Sequence, residues 1–250
     1  MEVEELRSRR SRAFGATAAA YAEHRPDYPA EGIRWGLAAA AGPVRTVLDL
    51  AAGTGKLTAG LLAMGVEVTA VEPDAEMLAE LSARFPTVRA LDGTAERIPL
   101  PAGSVDAVVV GQAFHWFDRK RALAEIARVL RPGGAVAALW NDDDESVEWV
   151  AGLGEVSRTR VSWSSSADYP TFDGACFTPG AKAGFGHTLR RTAESLTETI
   201  GTKSHTLVVD DEERAAVLGR IRDYLRSRPE TASGEFDLPL VTSVVRARRM

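Results

Sequence analysis

The chain has 250 residues, a formal net charge of −5 and one cysteine, Cys176. That length predicts one domain with a sizeable core. The charge gives no pull toward nucleic acid or an anionic membrane, and a lone cysteine excludes an intrachain disulfide. No apolar run approaches the ~18–20 residues of a bilayer span. Glu2, Glu4, Glu5 and several arginines fill the N-terminus in place of an apolar leader, so a cytoplasmic protein is expected.

Residues 1–42 are expected to form an N-terminal helical cap. It comprises a helix over Ala13–Ala20, a structured loop at Tyr21–Pro29, and a helix over Ala30–Ala41 that Gly42-Pro43 stops. Val47–Leu50 then reads as a strand, Ala51–Gly55 as a small-residue turn and Lys56–Leu62 as a helix closed by Gly65. Strand, turn and helix in this order aim backbone N–H groups at a ligand, and Gly53 and Gly55 let the backbone approach it closely. Val66–Val71 alternates as a second strand and ends in Glu72-Pro73-Asp74. Asp74 is placed to cap a helix through Phe85 that carries Met77, Leu78 and Leu81 on one face. Val88–Leu91 is a third strand. Val105–Val110 is continuous and apolar, as a strand buried on both faces should be. Asp118 caps a helix over Arg119–Leu130, Arg131–Gly134 reads as a stop and turn, and Ala135–Trp140 as a fifth strand.

Strands and helices thus alternate across 45–141, the expected ligand-binding core. The pattern predicts an α/β, Rossmann-like, mostly parallel sheet with helices on both faces. The ligand then lies at the carboxyl ends of the strands: Asp49–Gly55, Glu72, Asp92–Glu96, Gly111–Trp116 and Trp140-Asn141. Further on, Ser146–Val161 has helical character, and Ser162–Lys182 has no period and many breakers. The segment 142–205 is therefore read as a lid or insertion. Phe185–Arg190 is a short strand, Ser195–Ile200 a short helix, and Asp210 or Asp211 caps a helix through Tyr224–Ser227. Phe236–Arg248 is the last strand, with Pro239 confining it to an edge or to its first residues. Residues 206–250 thus form a C-terminal helix and strand, and 1–250 is read as a single domain.

Three ligand classes use a glycine turn after a first strand. A P-loop needs GxxxxGK[ST], but Leu57 follows Gly55-Lys56 and Leu50 stands five before Gly55. A dinucleotide loop needs GxGxxG, and the frame from Gly53 ends on Thr58. S-adenosylmethionine has no phosphate and requires neither the lysine nor the third glycine.

At this point the chain resembles the class I S-adenosylmethionine-dependent methyltransferases with a type 11 methyltransferase domain. VLDLAAGTG at 47–55 is similar to the family's first motif, an acidic residue followed by G-x-G-x-G. Glu72 stands at the end of the second strand, 17 residues beyond Gly55 (72 − 55). Gly93–Leu100, Gly103–Asp106 and Val129–Gly134 resemble later family motifs in the same order. Gln112–Asp118, Tyr21, Arg25-Pro26, Tyr28-Pro29, Trp140-Asn141 and the C-terminal FDLPLVTSVVRAR resemble a subgroup that includes trans-aconitate-type methyltransferases. The sequence departs from the family at Ala51, where glycine is usual, and at Thr94, where an aspartate often stands.

The resemblance implies a seven-stranded sheet with the last strand antiparallel. It implies that Asp49, Ala51, Gly53, Gly55, Glu72, Pro73, Met77, Thr94, Ala95 and Gln112 hold the cofactor, with Glu72 on the ribose hydroxyls. Tyr21 and Arg25 would fold over it. His115, Trp116, Trp140 and Asn141 would face the acceptor, with His115 the candidate base. Asp142–Glu145 are adjacent acids that point in divergent directions, so no metal site is expected. No Asn/Asp-Pro-Pro-aromatic motif or Pro-Cys pair follows the fourth strand, which disfavours base methylation. The expected activity is methyl transfer from S-adenosylmethionine to a small-molecule oxygen such as a carboxylate, with no signal for a particular oligomeric state. Two rival readings are a cofactor-binding protein without catalysis and a nicotinamide-dependent reductase, the latter opposed by the failed GxGxxG.

Overall fold

The computed structural model describes residues 26–161, 172, 176–202 and 204–250. The helix expected over Ala13–Ala20, together with Tyr21 and Arg25, lies outside the described residues, as does most of Ser162–Lys182. The elements run α1 (Ala30–Leu37), β1 (Thr46–Leu50), α2 (Lys56–Leu62), β2 (Glu67–Glu72), α3 (Ala75–Arg84), β3 (Arg89–Asp92) and β4 (Val105–Gly111). A single 3₁₀ turn, Phe114–Trp116, precedes α4 (Arg119–Val129) and β5 (Leu130–Asp143). Then come α5 (Glu148–Val156), β6 (Ala181–Thr192), α6 (Ala193–Gly201), α7 (Ser204–Leu207), α8 (Asp211–Ser227) and β7 (Glu235–Arg248).

The strands form one seven-stranded sheet in the order β3-β2-β1-β4-β5-β7-β6. β1 pairs in parallel with β2 and β4, β2 with β3, and β4 with β5. β7 runs antiparallel to β5: Arg249 exchanges backbone hydrogen bonds with Gly133 and Gly134, while Pro239 accepts from Asp144 at the other end. Strand order reverses between β1 and β4, and that is where the carboxyl ends of an open sheet leave a crevice.

The chain divides into two compact units. The larger holds residues 27–141, 172, 176–185 and 242–250 of those described, and the smaller holds 26, 142–161, 186–202 and 204–241. In the larger unit, side-chain alternation along each strand builds two cores. Leu48, Leu50, Val108, Val110, Val136 and Ala138 meet α4 through Ala122 and Ile126 on one face. Val47, Ala107, Val109, Ala135 and Ala137 meet Ile33 of α1, Leu57 and Leu61 of α2, and Leu81 of α3 on the other. Each fully buried Leu or Ile contributes about 1.5–3 kcal/mol, so helices on both faces hold the strand ends in place. The smaller unit has its own core, in which Trp149, Val150 and Leu153 of α5 pack with Leu196, Ile221, Leu225 and Phe236.

The caps follow the sequence. Asp74 accepts from the amides of Glu76 and Met77, Asp118 from Arg121 and Asp210 from Glu213. Four boundaries differ from expectation. The helix expected over Ala30–Ala41 ends at Leu37, because Ala39 and Ala40 make tight i→i+3 bonds and the Ala41 amide turns to the Gly133 carbonyl. Arg131–Gly134 does not end the strand ladder. Gly133, at φ +80°, kinks a strand that begins at Leu130, and pairing with Arg249 carries it through. Of the two places the sequence leaves for Pro239, the structure takes the second: β7 sits between β5 and β6, Pro239 is its fifth residue, and its carbonyl, not its missing N–H, makes the bond to Asp144. The helix expected over Ser146–Val161 is confined to Glu148–Val156, while the strand at Phe185–Arg190 extends to Ala181–Thr192. Among the described residues no helix is long and apolar enough to cross a membrane.

Candidate active site

The turn after β1 is tightly wound. Ala51, Gly53 and Gly55 all have positive φ, at 56°, 57° and 87°. For Ala51 this is an uncommon backbone state, of the kind that collects at ligand sites. The amides do not all face outward. That of Ala52 donates to the Val71 carbonyl, that of Gly55 to the Ala52 carbonyl, and that of Gly53 to the Glu72 carboxylate at 2.8 Å. The turn is therefore laced internally to β2 and does not offer a full nest of free donors.

The two glycines sit in different surroundings. A Cβ on Gly53 would meet only the Met77 sulfur, at 3.9 Å. A Cβ on Gly55 would lie 2.6 Å from the Phe85 ring and 3.3 Å from Leu81. Gly53 borders open space, whereas Gly55 lets α2 pack against α3.

Two carboxylates form the floor beneath this turn. Asp49, in the middle of β1, is fully buried; one oxygen accepts from the Thr58 hydroxyl at 2.6 Å. Its other oxygen, Oδ1, is buried without a hydrogen-bond partner among the described residues, as is the Thr54 hydroxyl. Burial pushes the Asp49 carboxyl up to about 7, against the Thr58 hydrogen bond, and the neighbouring Glu72 adds to the rise. Glu72 is 5% exposed. Its oxygens accept from the amides of Gly53 and Asp74, at 2.8 and 3.0 Å. Burial raises its pKa as well, opposed by those two hydrogen bonds. A cation lowers the cost of ionising such a pair, and an anion raises it.

Around this floor, Met77 is buried on α3, Ala95 is buried, and Pro73 and Thr94 are exposed. The loop carrying Thr94 and Ala95 is fastened from behind. Glu125 accepts from the Ile98 amide, and Arg128 donates to the carbonyls of Ile98 and Leu100. At the end of β4, Gln112 takes the left-handed conformation, with φ 58°. Its amide donates to the Leu139 carbonyl and its side chain to the Asn141 carbonyl. His115 follows on the 3₁₀ turn, exposed, its ring 4.7 Å from that of Trp116. Trp140 is half-buried at the end of β5. Asn141 is tied into the framework: Oδ1 accepts from the Thr242 hydroxyl, and Nδ2 donates to the Asp27 carbonyl.

A methyltransferase-domain family profile matches residues 48–138, the span that contains every motif around the turn. An uncharacterized methyltransferase of Mycobacterium tuberculosis is 43% identical over 245 residues, covering 95% of this chain and 96% of its own. A solved structure from Anaeromyxobacter dehalogenans, described as a type II methyltransferase, superposes with a TM-score of 0.67 at 28% identity. It covers 90% of this chain and 97% of that one. The chain is a class I S-adenosylmethionine-dependent methyltransferase. A methyltransferase from an antibiotic biosynthesis pathway in Anabaena variabilis shares the fold, at TM-score 0.60 and 19% identity over 88% of this chain and 98% of that one.

Sequence reasoning did not single out several residues around this candidate site. Thr54 and Thr58 were missed, though Thr58 lies one helical turn into α2 and nine residues from Asp49, a reach that a strand–turn–helix unit closes. Lys56 was weighed only as a failed P-loop lysine, yet it pairs with Asp27 at 3.1 Å. The Glu125–Arg128 fastener was readable as an acid–base pair three apart on one helix face.

Proposed function

We propose that this methyltransferase moves the methyl group of S-adenosylmethionine onto a small-molecule acceptor, at an oxygen, with a carboxylate oxygen the leading candidate. The observation that carries the cofactor reading is the acidic floor under a turn in which the amides of Ala52, Gly53 and Gly55 are already used. A pyrophosphate needs free donors and no buried acids nearby. Here the Gly53 amide is spent on Glu72, and Asp49 holds an unpaired oxygen. Such a floor repels a dinucleotide and suits a ligand with cationic sulfonium and ammonium groups.

When bound, S-adenosylmethionine supplies a methyl already activated on its sulfonium sulfur. Asp49, Thr54 and the Ala51–Gly55 turn would hold its amino-acid end. Each Glu72 oxygen accepts one amide and keeps a second lone pair for a ribose hydroxyl. Pro73, Met77, Thr94 and Ala95 would border the ribose and adenine, and Gln112 the reacting end. The remaining task is alignment of acceptor, carbon and sulfur. Along Gly111–Phe117, His115 is the one titratable side chain, and it is exposed. An acceptor that arrives without a proton suits such a wall, because it needs no base. His115, Trp116 and Trp140 then orient it.

The test is incubation with methyl-labelled S-adenosylmethionine and a panel of small carboxylic acids, alcohols and amines. Base-labile label on an acid, released as methanol, is the expected product. Label on an amine, or on none, overturns the acceptor assignment. Parallel titrations with S-adenosylmethionine and NADH test the cofactor: saturable binding of NADH alone overturns it.

A further inference from the structure

Asp27 and Tyr28 lie across the crevice at the switch point, held by the start of α2 and by the strands β4 and β5 that frame it. The Asp27 carboxylate pairs with Lys56, the first residue of α2 after the glycine turn, at 3.1 Å. The Asp27 carbonyl accepts from Asn141 Nδ2, at the end of β5, at 3.2 Å. The Tyr28 hydroxyl lies against Gly111 at the end of β4; a Cβ there would come within 2.6 Å of it. Asn141 is itself anchored, through Thr242 on β7, and its carbonyl holds the Gln112 side chain. Lys56 is largely covered, with 18% of its side chain exposed, whereas the Asp27 carboxylate is 75% exposed. The open end of the ion pair faces water.

We propose that Asp27, Lys56 and Asn141 form a latch that holds this strap over the crevice and sets how fast the cofactor leaves, with Asn141 as its positioning residue. The inference rests on the cofactor reading above. A ligand at the β1–β4 switch point lies beneath a segment bridging α2, β4 and β5, and it leaves when that segment lifts. Lifting breaks the Asp27–Lys56 ion pair and the Asn141–Asp27 hydrogen bond and parts Tyr28 from Gly111. Asn141 acts through the Asp27 backbone on one side and through Gln112 on the other.

The latch is tested by the dissociation rate of S-adenosylhomocysteine, measured by stopped flow on the full chain. Asp27→Asn keeps the carbonyl for Asn141 and removes the ion pair. It is expected to speed dissociation about two- to fivefold, the range for an exposed pair. Asn141→Asp keeps an acceptor for Thr242 and the carbonyl for Gln112, removes the donor to Asp27, and is expected to act in the same direction. Salt should speed the wild-type rate toward that of Asp27→Asn and leave the variant unmoved, since a pair this exposed is screened. Asp27→Lys with Lys56→Asp restores the pair in reverse and is expected to recover the slow rate, which a merely structural role would not do. Wild-type binding with unchanged dissociation in Asp27→Asn and Asn141→Asp overturns the latch. Absence of S-adenosylhomocysteine binding by the wild type overturns the cofactor reading on which the latch rests.

Discussion

Gly53 and Gly55 belong to one motif and both have positive φ, yet the structure gives them separable tasks. Alanine at either position pays the left-handed strain, about 1–2 kcal/mol. At Gly53 little else is lost from the fold, because the new methyl would meet only the Met77 sulfur at 3.9 Å. At Gly55 the methyl would stand 2.6 Å from Phe85 Cε2, 3.0 Å from Cδ2 and 3.3 Å from Leu81. Overpacking of that kind adds about 1–3 kcal/mol. Gly55→Ala should therefore cost about 2–5 kcal/mol and Gly53→Ala about 1–2. Amide hydrogen exchange across α2 reads local opening directly and separates the two. The clash is checked by a cycle with Phe85→Ala: once the ring is gone, Gly55→Ala should fall back toward the strain cost, with Leu81 at 3.3 Å the remaining close contact. Equal cost of Gly55→Ala with and without the ring refutes the packing role. Gly53→Ala should instead keep α2 protected while S-adenosylmethionine titration loses its signal; retained affinity would mean that the ligand does not approach this side of the turn.

Three further outcomes follow from the charges. Asp49 is raised from 3.8 to about 7, so the unfolded chain releases this proton first and stability falls as pH climbs between about 4 and 7, by up to about 4 kcal/mol. Asp49→Asn should remove that slope from a plot of melting temperature against pH; an unchanged slope would assign it to another group. Asp106, at the opposite end of the sheet, is pulled to about 2 despite its burial by the amides of Thr46 and Arg45, Arg131 and the Thr46 hydroxyl. The stability it adds is present above about pH 4 and lost toward pH 2, and Asp106→Ala should cost about 1–3 kcal/mol at neutral pH by leaving those donors unpaired. A denaturation midpoint unmoved by the change would contradict this. Glu72→Gln should weaken S-adenosylmethionine by about 1.5–3 kcal/mol in calorimetry, and a loss under about 0.5 kcal/mol would place the ribose elsewhere.

The core of the fold was legible because its signals are local. The run at Val105–Val110, the caps at Asp74, Asp118 and Asp210, and the turn glycines each act within a few residues of where they stand. The errors fall where pairing from a distance decides. Pro132-Gly133-Gly134 looks like a stop, yet Arg249 carries the strand through it. Pro239 allows an edge or a strand start, and only the pairing of β6 beyond β7 chooses between them. The site was legible as a set of strand ends. Its wiring was not, because the Asn141–Asp27 bond spans 114 residues and the Asn141–Thr242 bond 101.

The glycine turn carries the last step. A strand–turn–helix unit is expected to present amides to an anion, and counting glycines removed two phosphate ligands without saying why this chain should avoid them. On the proposed reading the cause is one bond, Gly53 N–H to Glu72. That bond consumes a donor that a phosphate would need and fixes an acid where the phosphate would sit. Asp49, buried one strand away with an unpaired oxygen, adds a second carboxyl group, raised to about 7 by burial, to the same floor. A glycine at Thr58 would therefore complete the GxGxxG spacing without making a dinucleotide site. It would also strip Asp49 of its hydroxyl partner and leave the backbone of residue 58 as its remaining donor. The position that fails the dinucleotide pattern is thus the position that makes the acidic floor tolerable, and ligand choice is written into the floor as much as into the glycines above it.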